Sequence, residues 1–146
     1  MEMIVSLTIM GFITIVVVGM IGLSAKINQE VYWGSVARSE LNVAMERLRI
    51  DIQQLSPDSV LHSVADRLTF YDMDKNYVNY HMVANDLFRN DKLILKNMDG
   101  APFKYYDAAL TEVTLPGQVI AVIEVTLKIN RGGRTYQQQE RYYARN

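Results

Sequence analysis

Met3-Ile-Val-Ser-Leu-Thr-Ile-Met-Gly-Phe-Ile-Thr-Ile-Val-Val-Val-Gly-Met-Ile-Gly-Leu23 contains no charged residue, and the charge-free stretch continues to Ala25. At about 1.5 Å per residue the run reaches about 30 Å, and spanning a bilayer takes roughly 20 apolar residues. In lipid the backbone must bond internally, so even the β-branched segment Ile15 to Val18 is predicted to be helical. A buried core helix of this length would show a polar face. A cleaved secretory signal would have a shorter apolar region, a basic leader and a small-residue cleavage site. The run shows no polar face, is too long for a signal and has no basic leader, so it reads as a membrane-spanning helix.

Gly11, Gly19 and Gly22 lie within the run, with Ser6, Thr8 and Thr14. Small residues let membrane helices approach closely, and glycine weakens a helix in water by nearly 1 kcal/mol. Both helix–helix packing and local unwinding are open on this composition, as is ordinary membrane-helix usage. Glu2 is a carboxylate at the edge of the apolar span, costly there unless it stays at the interface or finds a partner.

Outward from the run, charge returns at Lys26 and the pattern becomes amphipathic. Leu41, Met45, Leu48, Ile52 and Leu55 alternate in steps of four and three, which makes one apolar stripe on a helix. Arg47 and Asp51 can pair one turn apart. Ser56-Pro57-Asp58 is predicted to stop the helix, because proline disfavours helical geometry in the residue before it. One continuous spine and two helices broken between Asn28 and Gly34 are both compatible with the sequence.

The remainder reads as strands. Leu68 to Tyr71 is β-rich, Asp72-Met-Asp-Lys-Asn76 is a turn, and Tyr77 to Val83 alternates weakly. Leu87 to Arg89 and Leu93 to Leu95 flank the hairpin-like pair Asn90-Asp91. Phe103 to Tyr106 is a further candidate. Val119, Ala121, Ile123, Val125, Leu127 and Ile129 alternate along one face of a long strand, with Glu124, Thr126 and Lys128 on a wetter face. Gly132-Gly133 turns the chain into a polar strand from Thr135 to Ala144. The fold class predicted is α+β: a long N-terminal helix packed on an antiparallel β-sheet head. Residues 1–25 form the transmembrane segment, 26–56 its amphipathic continuation and 57–146 the head. Leu41, Met45, Leu48 and Ile52 are the expected helix–sheet packing positions.

Chemistry-bearing motifs are weak. The chain of 146 residues has a formal charge of -1, without the basic stripe that nucleic-acid contact needs. It has no cysteine, which excludes a disulfide framework, a thiolate metal site and a cysteine nucleophile. Asp72, Asp74 and Asn76 alternate like the opening of a calcium loop, but Tyr77 stands where the glycine belongs and Val83 where the bidentate acid belongs. They read better as a hairpin turn. His62 and His81 are far apart and make no triad. Tyr105, Tyr106, Tyr142 and Tyr143, among nine tyrosines, fit core and cross-strand pairs better than a contact surface. No glycine-rich phosphate loop precedes a helix. The expectation is no enzyme, no cofactor and no metal site.

The string Glu2-Met3-Ile4-Val5-Ser6-Leu7-Thr8-Ile9-Met10-Gly11 resembles the start of a type IV pilin or pseudopilin. In that family an aromatic residue and two or three small or apolar residues precede a glutamate and an unbroken apolar helix. The family glutamate, the fifth mature residue, maps onto Glu2 and places Met1 fourth. The first three mature residues, the basic leader and the glycine before the cleavage point are not in this chain, so no methylated N-terminal residue is assigned. Leu41-Asn-Val-Ala-Met-Glu-Arg-Leu-Arg-Ile-Asp-Ile-Gln-Gln54 is similar to the helix end of J-type minor pseudopilins and PilW-like minor pilins. Leu68 to Asp72, Leu87 to Asn90, Phe103 to Asp107, Val119 to Leu127 and Arg141 to Asn146 resemble the strand series of those heads.

The resemblance implies a structural subunit of a type IV pilus, type II secretion or DNA-uptake filament. Such a subunit waits in the inner membrane as a single-pass protein, with its head in the periplasm or outside. An assembly motor extracts it, and it joins other pilin-like subunits through its apolar helix. Glu2 and Gly11 are then assembly positions, Glu2 neutralising the N-terminal amine of a neighbouring subunit. An acid and an amine that both leave water gain by pairing and lose by standing alone. Two rivals remain on the sequence: a membrane-tethered periplasmic binding module with no filament role, and a periplasm-facing enzyme.

Overall fold

Helix α1 (Glu2–Gln53) opens the computed structural model and is helical throughout, including Asn28 to Gly34. The structure describes residues 2–113 and 120–143, without the side chains of residues 2, 56–59, 61 and 62. The chain falls into two compact units, Met1–Val36 and Ala37–Asn146. The first unit is helical; the second holds the end of α1 and all the strands.

The helix stops earlier than Pro57. The Gln54 N–H is shared between the carbonyls of Ile50 and Asp51, at 3.3 and 3.2 Å, which tightens the last turn. Leu55 already lies opposite Asp72 in strand β1 (Leu55–Val64). Leu55 therefore belongs to the sheet, not to the helical stripe, and Ser56-Pro57-Asp58 is strand rather than helix stop. Proline is tolerated there because β1 is an edge strand, and the register shift between Leu55 and Val60 takes up the irregularity.

Among the described residues the antiparallel head is divided into two sheets. The first is a meander in chain order: β1, β2 (Arg67–Asp72), β3 (Tyr77–Val83), β4 (Asp86–Arg89) and β5 (Lys92–Leu95). The second joins β6 (Phe103–Tyr106), β7 (Val122–Arg131) and β8 (Arg134–Tyr143). Tight two-residue turns set the registers. Asn90-Asp91 and Gly132-Gly133 both have positive φ at each residue, the type I′ geometry that matches strand twist. Ala84-Asn85 does the same between β3 and β4, with Ala84 at φ 48° despite its Cβ. Asp72 closes the β2–β3 turn: its carboxylate accepts the Asn76 backbone N–H at 2.8 Å and the Asn76 amide at 3.0 Å.

One hydrophobic cluster unites the second unit. Ala37, Leu41, Ala44, Met45, Leu48 and Ile52 of α1 are buried with Leu68, Phe70, Tyr80 and Leu87 of the first sheet and Phe103, Ile123, Val125, Leu127 and Ile129 of the second. Ala37 and Ala44 extend the stripe on positions where a larger side chain would hold helix and sheet apart. On β7, Val122 and Glu124 are buried as well, so both faces of its first half are covered. Val119 and Ala144 to Asn146 lie outside the described residues, and Ala121 precedes the strand.

Candidate assembly surface

In the first unit every side chain from Met3 to Gln29 is exposed. This is a helix long and apolar enough to cross a membrane, by length and composition, and its apolar part is not buried against the rest of the chain. Apolar side chains continue around the helix for several turns, which a soluble monomer rarely presents to water. Its two threonine hydroxyls bond to the helix backbone. The Thr8 hydroxyl donates to the Ile4 carbonyl and the Thr14 hydroxyl to the Met10 carbonyl, each at 2.8 Å. A Cβ placed on Gly11, Gly19 or Gly22 would meet nothing within 4 Å, so these glycines present smooth backbone to whatever lies alongside. Glu2 begins the helix, and its side chain lies outside the described residues.

Tyr32 and Trp33 stand past the charge-free stretch, with ring centroids 5.5 Å apart in edge-to-face contact. These are the residue types enriched at membrane–water interfaces. The apolar run outweighs them in any reading of the sequence; their position just beyond Lys26 and Glu30 is the signal that marks them.

In the second unit, charged pairs tie helix to sheet and strand to strand. Asp51, 4% exposed, accepts a 2.6 Å hydrogen bond from the Tyr80 hydroxyl and two from the Arg89 guanidinium. Arg47, the expected partner one turn away, sits farther off at 3.7 Å and half exposed. Burial, then the bond to Asp51, pushes the Tyr80 phenol well above its ordinary pKa. Burial disfavours the charge on Arg89, but the bonds to Asp51 outweigh it and raise its pKa. Glu40 of α1 accepts from Arg131 of β7 at 2.9 Å. On the second sheet Glu124 accepts from Arg141 at 2.6 Å, and the Arg141 guanidinium lies 5.7 Å from the Tyr106 ring centre. Burial opposes the Glu124 charge, yet the bonds from Arg141 and Gln139 hold its carboxyl below the usual range.

Leu41, Met45, Leu48 and Ile52 are all in the core, whereas Gly11 is in the exposed first unit. Asp72 and Asn76 bond to each other, and no group of three His, Cys, Asp or Glu residues able to hold a metal occurs among the described residues. His81 stacks on Phe88 at 5.6 Å and contacts Asn79; the side chain of His62 is outside the described residues. Tyr105 is a core residue and its hydroxyl donates to the Arg67 carbonyl at 2.9 Å. Tyr143, by contrast, is exposed and lines a groove of about 370 Å³ with Ile52, Gln53, Leu55, Arg141 and Tyr142.

Compared with known proteins, the chain matches no family model, no curated protein and no solved structure. The molecule itself carries the functional reading: a long N-terminal helix, apolar and exposed at first, whose last turns pack on antiparallel sheets. That arrangement is pilin-like.

Proposed function

We propose that this chain is a minor pilin or pseudopilin, a structural subunit of a type IV pilus, type II secretion or DNA-uptake filament. The observation that carries the reading is the division of labour along α1. Its first part is charge-free and exposed on all sides, with local bonds closing the Thr8 and Thr14 hydroxyls, while its last part is a buried stripe. The first part suits two environments in turn, lipid and a bundle of sister helices, because both are apolar and neither needs a polar face. In this reading the chain is an inner-membrane single-pass protein with its head in the periplasm or outside, and Tyr32 and Trp33 sit at the membrane surface. Its partners are other pilin-like subunits and the assembly machinery. It has no catalytic role, no cofactor and no metal. Glu2 pairs with the N-terminal amine of a neighbouring subunit, since a carboxylate beside an apolar span needs a counter-charge once it leaves water.

Replacing Glu2 tests the reading. Glu2→Ala should leave the protein inserted and the head folded but lower its cross-linking to partner subunits in cells. Undiminished cross-linking would reduce Glu2 to a charge at headgroup level.

A further inference from the structure

The two sheets have four edges, and three of them are blunted against pairing. β1 carries Pro57 and two register shifts. β5 is four residues long, begins at Lys92 and is followed by Lys96. The outer edge of β6 is covered by its own loop: Tyr106 bridges to Glu112, and the Val113 N–H bonds the Tyr105 carbonyl at 2.7 Å. Short length, lysine, proline, bulges and covering loops are the ordinary devices that keep sheet edges from pairing.

Among the described residues β8 shows none of these, and its charged residues are Arg134, Glu140 and Arg141. It is ten residues long, without proline, lysine or bulge, and pairs with β7 in unbroken register. Among the described residues, no backbone hydrogen bond reaches its other edge. The turn fixes which groups that edge presents. In a two-residue type I′ hairpin the flanking residues, here Arg131 and Arg134, bond each other. The even-numbered residues of β8 therefore bond to β7. Thr135, Gln137, Gln139, Arg141 and Tyr143 turn their N–H and C=O groups outward, and all five are exposed.

We propose that β8 is a homotypic pairing edge. Two copies of this chain join β8 to β8, antiparallel about a two-fold axis at Gln137, and make one continuous six-stranded sheet. The sequence of the strand is self-complementary in that register. Arg134 of each copy stands opposite Glu140 of the other, Thr135 opposite Gln139 and Tyr136 opposite Gln138. The axis passes through the uncharged Gln137-Gln138-Gln139 segment, so no like charges meet. Centring on Gln138 or Gln139 opposes no ion pair, and centring on Glu140 or Arg141 sets each charge against itself. Glu140 already accepts from the Tyr142 hydroxyl at 2.8 Å, which holds it in place with acceptor capacity left for an arginine. The pairing is a property of the purified chain and is independent of any filament role.

The chain has no cysteine, so single cysteines report alone. Full-length protein in detergent, carrying Gln137→Cys, Thr135→Cys or Gln139→Cys, is treated with a short thiol–thiol cross-linker. Gln137→Cys should give a covalent dimer. Thr135→Cys or Gln139→Cys alone should give at least about five-fold less, because each lies four residues, about 13 Å, from its own copy. Mixing Thr135→Cys with Gln139→Cys should restore the dimer. Adding Glu140→Arg to Gln137→Cys should abolish it, and adding Arg134→Glu as well should bring it back. A monomeric Gln137→Cys protein, or equal cross-linking at all three positions, would overturn the proposal. So would Gln137→Cys cross-linking in cells to a different chain alone. Other subunits are absent from the purified sample, so failure here leaves the filament reading untouched, and loss of Glu2-dependent cross-linking in cells would leave this pairing untouched.

Discussion

Asp51 shows what one residue can hide from a sequence. One turn from Arg47 it reads as half of a solvated helical pair. In the fold it is buried; the pair with Arg47 persists at 3.7 Å, but its closer partners, Tyr80 and Arg89, come from strands 29 and 38 residues away. No local pattern announces them, because helix periodicity reports a neighbour on the same face and not what covers that face. Exposed pairs are worth little, whereas removing one partner of a buried carboxylate leaves a desolvated charge. Arg89→Ala should therefore destabilise the fold by about 2–3 kcal/mol. Chemical denaturation of both proteins checks it, and a change within error would mean that Tyr80 and Arg47 satisfy Asp51 without Arg89. Glu124 stands on the β7 face that becomes wetter toward the strand end, and at 4% exposed it belongs to the covered half. Its carboxyl pKa is held down in the fold, so its contribution is complete above the ordinary glutamate range and is lost as pH falls through the folded value. Glu124→Gln should lower the melting temperature at neutral pH, with a difference from the parent that shrinks steadily on acidification. A constant difference across the pH range would detach Glu124 from the acid response.

At the scale of elements, the reading of sequence succeeded where periodicity and turn chemistry agreed. Tyr77 to Val83 and Phe103 to Tyr106 fall on strands with those bounds, and the hairpin turns at Gly132-Gly133, its first strand starting after Ala121 and running two residues past Ile129. β1 escaped because Pro57 speaks against a strand, and edge position with a shifted register is invisible until partners are known. The Ala84-Asn85 turn escaped for a related reason: alanine carries no signal for positive φ. Left-handed geometry costs a non-glycine residue roughly 1–2 kcal/mol, part of which glycine returns as unfolded-state entropy. Ala84→Gly should stabilise by about 0.5–1 kcal/mol, read as a higher melting temperature; a lower one would show that the Cβ contributes packing. The α1 stripe allows a paired test. Leu48→Ala truncates a fully buried side chain, a change that typically costs about 2–5 kcal/mol. Arg49, in an exposed pair with Glu46 at 3.7 Å, should tolerate alanine with almost no change in melting temperature. Equal, small effects from both would mean that the helix contributes nothing to the core.

For the molecule as a whole, the charge-free run from Met3 to Ala25 dominates. It was legible at once because a membrane imposes length and composition with no need of tertiary partners. The apolar run by itself does not separate attachment from the proposed assembly role, since lipid and sister helices are both apolar. Fractionation separates anchor from head: the full chain should remain with membranes and need detergent, while a fragment starting near Asn28 should be soluble and folded. Full-length protein that stays soluble without detergent would remove the membrane from the account. The most direct measurement of the filament role exchanges Met3 to Ala25 for an unrelated apolar helix of equal length and follows capture by partner subunits in cells. A filament subunit should insert normally and lose that capture, because bundle packing reads the particular surface of the helix. Undiminished capture with the foreign helix would show that the segment serves attachment alone, and the chain would then be a tethered module.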